Sequence, residues 1–80
     1  MVNAGYEIIE KIKIAEDDFI VLGYSQSTKL YVTWRYDEGD ESYRWGHYIR
    51  EYLDAKLDML ARAKDAIEYQ RYTQITKEIY

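Results

Sequence analysis

Two aromatic segments decide the fold of this chain: Leu30-Tyr31-Val32-Thr33-Trp34-Arg35-Tyr36 and Tyr43-Arg44-Trp45-Gly46-His47-Tyr48. The acidic loop Asp37-Glu38-Gly39-Asp40-Glu41 separates them, and we expect Gly39 to take a positive φ there. Aromatic and β-branched residues favour strands, and a short polar loop with glycine joins two such strands. The segments therefore predict a central β-hairpin. Gly46 interrupts a run of large side chains, which often marks a bulge or a close approach by another backbone or a large side chain. A neighbouring Trp lying over Gly46 would be a sufficient structural reason.

Earlier segments extend this hairpin into a sheet. Residues 6–14 alternate toward their end, with Ile8, Ile12 and Ile14 on one face. Residues 19–24 form an apolar run of strand length, and short loops separate all the segments. This organisation predicts an antiparallel meander of three to four strands over residues 6–49.

The apolar pattern changes its period after the second aromatic segment. Its spacings of three and four predict an amphipathic helix over residues 50–80. The residues that define this stripe are Ile49, Leu53, Leu57, Leu60, Lys64 and Ile67. About 15 helical residues match the length of a strand of six or seven residues. We therefore expect residues 68–80 to project past the sheet, where they either fray or pack against another chain.

Together these elements predict a single α+β domain over residues 1–80. Its architecture is a three- to four-stranded antiparallel β-meander followed by one long C-terminal amphipathic helix packed on one face. The predicted core lies where the strand and helix stripes meet. It consists of Ile8, Ile12, Ile20, Leu22, Val32, Trp34, Trp45, Leu53, Leu57 and Leu60.

Composition excludes or disfavours several classes of protein. The chain has 80 residues with no Cys and one His, which excludes disulfides and most zinc sites. Its net charge of −4 lacks the basic excess that drives phosphate binding, so nucleic acid is disfavoured as the main partner. We find no apolar run of membrane-spanning length and no signal-peptide pattern. We therefore expect a cytoplasmic protein without membrane contact.

The sequence offers no pattern that points to catalysis. His47 is the only His, and the spacing to its nearest Ser, Ser42, suggests no shared catalytic geometry. We interpret His47 as a strand residue that hydrogen-bonds locally. The acidic loop lacks the alternating oxygen ligands of a calcium site. The expectation is a protein with no catalytic residues, no metal site and no cofactor.

The face of the hairpin opposite the predicted core is the candidate partner-binding surface. Strict alternation gives it Tyr31, Arg35, Arg44 and Tyr48. Tyr and Arg are enriched at protein–protein hot spots. The same residue types stack on unpaired bases, or they serve only cross-strand pairing. All three interpretations stay open at the level of sequence.

Self-association is also predicted. A small core without disulfides or metal favours stabilisation by a second chain. The distal helix keeps four residues on or near one side, which predicts a homodimer through that strip. These dimerisation residues are Ile67, Tyr72, Ile75 and Ile79.

Three short blocks resemble a group of small uncharacterised proteins encoded by Gram-positive bacteria, their phages and mobile elements. They are Val21-Leu22-Gly23-Tyr24, Tyr31-Val32-Thr33-Trp34 and Trp45-Gly46-His47-Tyr48. The resemblance covers about residues 19–60 and the segment after Ile67 departs from it. It transfers no functional residue, and it implies an accessory protein that binds and modulates a larger host protein.

The sequence thus favours a small non-enzymatic protein-binding module, in the manner of an inhibitor or modulator from a phage or mobile element. The first alternative is a nucleic-acid-binding domain that uses the Tyr/Arg face. A small hydrolase or transferase is the second alternative, which the missing catalytic constellations disfavour.

Overall fold

The computed structural model describes the backbone of residues 1–79 and the side chains of residues 1–73. Its elements are β1 (Val2–Asn3), β2 (Tyr6–Ala15), β3 (Asp18–Ser25), β4 (Leu30–Asp37), β5 (Ser42–Ile49) and α1 (Tyr52–Ile79). The strands form one antiparallel sheet in the order β1-β2-β3-β4-β5. The α+β class and the meander followed by one helix are confirmed. The sheet has five strands rather than three to four, because Val2–Asn3 adds a short edge strand.

The predicted central hairpin is confirmed as β4 and β5, which pair from Asp37 opposite Ser42 onward. At its tip, Asp37 Oδ1 accepts hydrogen bonds from the backbone N–H of Gly39 at 2.9 Å and of Asp40 at 3.2 Å. The residue with positive φ is Glu41, at 53°, so the prediction for Gly39 is wrong. The Asp37 side chain forms the first turn of the loop through these hydrogen bonds, and the left-handed conformation falls on Glu41, the last loop residue.

A β-bulge in β2 changes the face to which its side chains point. Ile8 lies opposite Gly23 and Glu10 opposite Leu22, so Ile9 is an extra residue. One inserted residue reverses the alternation. Ile8 therefore packs on one side of the sheet, whereas Ile12 and Ile14 pack on the other. The prediction that these three residues share one face is wrong.

Strand β5 also contains a bulge. Thr33 is opposite His47 and Arg35 is opposite Arg44, which leaves Trp45 and Gly46 together opposite Trp34. Trp45 takes φ 57° at this point. A Cβ at Gly46 would lie 2.8 Å from Trp34 Nε1, so Gly46 marks both a bulge and the close approach of a large side chain.

Both faces of the sheet are covered. One of them, here called the aromatic face, holds Phe19, Val21, Val32, Trp34 and Tyr36, with Tyr6, Ile8 and Tyr43 packed against them. The rings of Tyr6 in β2 and Tyr48 in β5 have centroids 5.9 Å apart, although two strands separate them. Flat strands would place them roughly 14 Å apart. The sheet therefore curls around its aromatic face and buries it without the helix.

Helix α1 covers the other face, here called the helix face. Its buried residues are Ile20, Leu22, Ala55, Met59 and Ala63, with Ile12, Ile14, Tyr31 and Ile49 packed against them. The prediction that the helix lies over Val32 and Trp34 is wrong, because those side chains belong to the aromatic face. The helix instead lies over Tyr31 and the fully buried Thr33.

The leucine stripe of α1 points away from the sheet. Leu53 is 72% exposed, Leu57 65%, Leu60 45% and Ile67 45%. Trp45 is 65% exposed as well, so the assignment of Trp45, Leu53, Leu57 and Leu60 to the core is wrong. The sheet already places large side chains beneath the helix, and these pack against a second, smaller stripe. That stripe is Ala55, Met59, Ala63 and Ala66.

Candidate functional site

Among the described side chains, a row of exposed apolar residues lies on the outward face of α1. We define the leucine seam as Leu53, Leu57, Leu60 and Ile67, with Lys64 at the intervening position. Its spacing of four, three, four and three residues is the a/d repeat of a coiled coil. Monomeric proteins seldom leave contiguous apolar rows of this kind uncovered. The geometry suits a second helix packed alongside α1.

A polar network fixes the rotation of α1 on the sheet. The Thr33 hydroxyl donates a hydrogen bond to Asp58 Oδ2 at 2.5 Å, and His47 Nδ1 lies 3.0 Å from the same oxygen. Arg62 donates to the Thr33 carbonyl oxygen at 3.0 Å and to its hydroxyl at 2.9 Å. Burial lowers the pKa of Arg62, and the charge of Asp58 opposes this shift. These four residues hold the leucine seam outward.

The contact between His47 and Asp58 has the form of an acid–base dyad. In hydrolases, a carboxylate orients the His while a nucleophilic hydroxyl faces the opposite ring nitrogen. Here the hydroxyl of the network, from Thr33, donates to Asp58 itself. Ser42 pairs with Asp37 at the far end of β5. The arrangement suits a structural contact that holds β5 against α1. We expected a local hydrogen-bond partner for His47, but Asp58 is 11 residues away in sequence.

A second polar cluster anchors the first turns of α1 to β2. The carboxylate of Glu10 accepts hydrogen bonds from Lys56 Nζ and from the Tyr52 hydroxyl. The bond from Lys56 is the main cause of a lowered pKa for Glu10, and the bond from Tyr52 adds to it. The same contacts raise the pKa values of Lys56 and Tyr52.

The four predicted partner-binding residues do not share one surface. Tyr31 is half-buried beneath α1, with its ring centroid 5.5 Å from that of Tyr52. Tyr48 lies on the aromatic face, 6.4 Å from the Trp34 ring. The bulge in β5 causes this separation, because it shifts Tyr48 to the other side of the sheet.

The two arginines of that set are brought together opposite each other on β4 and β5. Arg35 donates two hydrogen bonds of 2.6 Å, from Nε and Nη2, to the Asp18 carboxylate. Arg44 Nη2 lies 3.6 Å from Asp37 Oδ2. The role of Tyr31, Arg35, Arg44 and Tyr48 in partner binding stays a prediction. The geometry favours it only for the arginines, which border an exposed aromatic residue.

That aromatic residue is Trp45. The Arg44 guanidinium carbon lies 5.7 Å from its ring centroid. Trp45 stands between two shallow clefts, of about 320 Å³ and about 200 Å³. The larger is lined by Ile20, Arg35, Trp45, Arg62, Asp65, Ala66 and Tyr69. Sequence reasoning missed this surface because strict alternation assigns Trp45 to the core. The glycine that follows Trp45 is the one sequence feature that indicates a bulge here.

The predicted dimerisation strip is only partly described. Ile67 is 45% exposed and belongs to the leucine seam, and Tyr72 is 69% exposed. The two residues are five positions apart, so they lie about 140° apart around the helix. The side chains of Ile75 and Ile79 lie outside the described residues. Homodimer formation through the helix stays a prediction. The described residues favour an interface along the leucine seam over one along the predicted strip.

Within the part of the chain that the structure describes, His, Asp and Glu side chains form no group of three that could hold a metal ion. Among the same residues, no helix combines the length and apolar character needed to cross a membrane. No known family model, curated protein or solved structure matches the chain.

Proposed function

We propose that the chain is a small non-enzymatic protein-binding module that docks an amphipathic helix against the leucine seam of α1. The observation that carries the proposal is a row of apolar side chains at coiled-coil spacing, 45–72% exposed, on a helix whose other side already packs on the sheet. A partner helix with the same spacing would bury this row by inserting its side chains between those of α1.

The polar contacts of α1 support this role. The Asp58 network holds the middle of the helix, and Glu10 holds its first turns through Lys56 and Tyr52. A helix fixed in rotation presents its seam without further ordering. Preorganisation of this kind lowers the entropic cost of binding.

A synthetic helical peptide with Leu at every a and d position is the direct probe. We expect the fluorescence anisotropy of the labelled peptide to rise as the protein is added. The double variant Leu57→Asn/Leu60→Asn should weaken binding by at least about tenfold, or 1.4 kcal/mol. Ile9→Asn is the matched control, because Ile9 is 44% exposed on β2, close to the 45% of Leu60.

Two results would reject the proposal. One is the absence of peptide binding by a chain that stays monomeric at protein concentrations up to about 100 μM, which means a binding free energy weaker than about 5.5 kcal/mol. The other is an equal loss of binding in the Ile9 control. Circular dichroism of each variant separates a loss of binding from a loss of folding.

The Trp45 surface supports a second candidate function, binding of single-stranded nucleic acid. Arg44 lies over the Trp45 ring, and Arg35 and Arg62 line the adjacent cleft. Exposed aromatic rings beside arginines stack unpaired bases. Acidic side chains line the same clefts, which places this candidate second.

This second candidate is tested with a labelled single-stranded oligonucleotide at about 50 and 200 mM salt, because phosphate contacts give a steep salt dependence. We expect Trp45→Ala to abolish binding if bases stack on the ring. The absence of binding at the lower salt concentration would reject the candidate.

A further inference from the structure

We infer that the helix docked on the leucine seam is α1 of a second copy of this chain, running antiparallel to the first. This inference rests on the proposed function, because it names the partner of the same seam. It makes that seam a two-fold interface, in which one surface is complementary to itself.

The charges on and beside the seam carry the argument. In the heptad repeat, Leu53, Leu60 and Ile67 take position d, and Leu57 takes position a. The remaining a position within α1 is basic: Lys64. The e positions directly after the first and last d residues are acidic: Asp54 and Glu68. The seam therefore carries one positive charge at Lys64 and negative charges beside its first and last d residues.

An antiparallel pair of such helices brings opposite charges together. In that arrangement, a residues meet d residues of the other helix, and Leu57 packs against Leu60 of the second copy. The same register sets Lys64 beside Leu53 and Asp54 of the second copy. The basic a position of each helix thus meets an acidic e position of the other helix, and this contact occurs twice.

A parallel pair has the opposite outcome. Each a position then faces its own equivalent, so Lys64 meets Lys64 of the second copy. Like charges at one level of an interface disfavour the pairing. The charge order therefore distinguishes the two orientations, and it fits a second copy of this chain without requiring any other helix.

The charged residues of the seam are available for these contacts. Asp54 is exposed and forms no ion pair with the described residues. Lys64 and Glu68 lie 3.8 Å apart, with side chains 76% and 63% exposed, a solvated pair that re-forms easily elsewhere. The sheet does not obstruct the second helix, because Ala55 and Met59 contact it from the other side of α1.

Charge reversal measured by sedimentation equilibrium tests the inference. We expect the full chain to form a dimer. Lys64→Glu and Asp54→Lys should each weaken it by about tenfold, because both create like-charge contacts in the antiparallel register. The double variant Asp54→Lys/Lys64→Glu should restore the wild-type affinity to within about threefold, since the pair is re-formed with reversed signs. Lys29→Glu, an exposed substitution in the turn between β3 and β4, is the control.

Single cysteines give a second measurement, because the chain contains none of its own. Asp54→Cys and Lys64→Cys variants are mixed in equal amounts and treated with a short bismaleimide. The antiparallel register predicts crosslinks between the two different variants. Crosslinks that join Lys64→Cys mainly to itself would establish a parallel pair and overturn the inference.

The outcomes also separate this inference from the proposed function. A chain that stays monomeric at about 100 μM but binds the leucine peptide would overturn the inference that a second copy occupies the seam, and the proposed helix docking would stand. A monomer that does not bind the peptide overturns both. A dimer that is unaffected by either single charge reversal overturns the antiparallel register.

Discussion

Gly46 faces a buried aromatic ring where the backbone of β5 bulges. A Cβ at this position would lie 2.8 Å from Trp34 Nε1 and 3.2 Å from the Tyr48 hydroxyl oxygen. Edge-to-face contacts with Tyr6 and Tyr43 hold the Trp34 ring, so it cannot move aside freely. We expect Gly46→Ala to lower the free energy of unfolding by about 1–3 kcal/mol, as measured by denaturant unfolding.

Gly39→Ala provides the matched control for that substitution. The closest atom to a Cβ there is Asp37 Oδ1, at 3.3 Å, at the tip of the hairpin, where a shift of a few tenths of an ångström relieves the contact. We expect a change within about 0.5 kcal/mol. Similar losses in the two variants would contradict a specific role for the Trp34 contact.

Glu10 makes the stability of the fold depend on pH. Its hydrogen bond from Lys56, and then that from Tyr52, lower its pKa in the folded state. The resulting stability is fully present above the ordinary Glu pKa of about 4.3 and is lost as the pH falls through the lowered folded value. We expect Glu10→Gln to reduce the free energy of unfolding at neutral pH and to weaken its decrease at acidic pH, here called the acid limb. The measurement is denaturant unfolding at a series of pH values.

Glu16→Gln is the control for the acid limb. The Glu16 side chain is 90% exposed and lies 3.8 Å from Lys13, so its carboxylate contributes little to folding. Its substitution should leave the pH profile close to that of the wild-type chain. An unchanged profile in Glu10→Gln would show that the contacts with Lys56 and Tyr52 do not stabilise the fold.

At the scale of elements, α1 carries two apolar stripes that make opposite predictions for stability. Met59 is buried against the sheet, whereas Leu57 is 65% exposed on the leucine seam. We expect Met59→Ala to cost about 2–5 kcal/mol and Leu57→Ala to change the free energy of unfolding by less than about 0.5 kcal/mol. The measurement is denaturant unfolding at a concentration where further dilution no longer shifts the midpoint. A larger cost for Leu57 would place the leucine stripe in the core after all.

The same two stripes show how far sequence reasoning reaches. Local patterns predicted the hairpin and the helix, because aromatic alternation and the three-to-four spacing are written in neighbouring residues. The choice between stripes depends on what lies beneath the helix. There the sheet supplies Ile20, Leu22 and Tyr31, so small helix residues fit better than leucines.

The candidate site was predicted only in part, for a related reason. Each bulge, at Ile9 in β2 and at Trp45 in β5, reverses the face to which the following side chains point, and no change in composition accompanies this reversal. Strict alternation therefore assigned Tyr48 and Trp45 to the wrong sides of the sheet. The leucines of the seam were recognised as one stripe, but their exposure follows from packing that no local pattern records.

At the scale of the whole molecule, the antiparallel register predicts where the chain can be shortened. Ala66 is the last buried residue of α1 among the described side chains, and the charge pattern ends at Glu68. We expect a chain that ends at Thr73 to keep both the unfolding midpoint and the dimer affinity of the full chain, measured by denaturant unfolding and sedimentation equilibrium.

The sequence-based dimer strip makes the opposite prediction for this truncation, because the shortened chain lacks Ile75 and Ile79. Loss of the dimer would therefore favour that strip over the leucine seam. A chain that ends at Lys64 serves as the positive control. It lacks Ala66 and Ile67, so both folding and association should weaken.

The contrast between the two tryptophans has a practical consequence for spectroscopy. Trp34 is 5% exposed among tyrosine rings, and Trp45 is 65% exposed. Iodide should therefore quench the red-shifted emission of Trp45 and leave the blue-shifted emission of Trp34, fed by energy transfer from the tyrosines, largely intact. The chain thus carries two native optical reporters: Trp34 follows unfolding, and Trp45 follows any molecule that covers the bulge in β5.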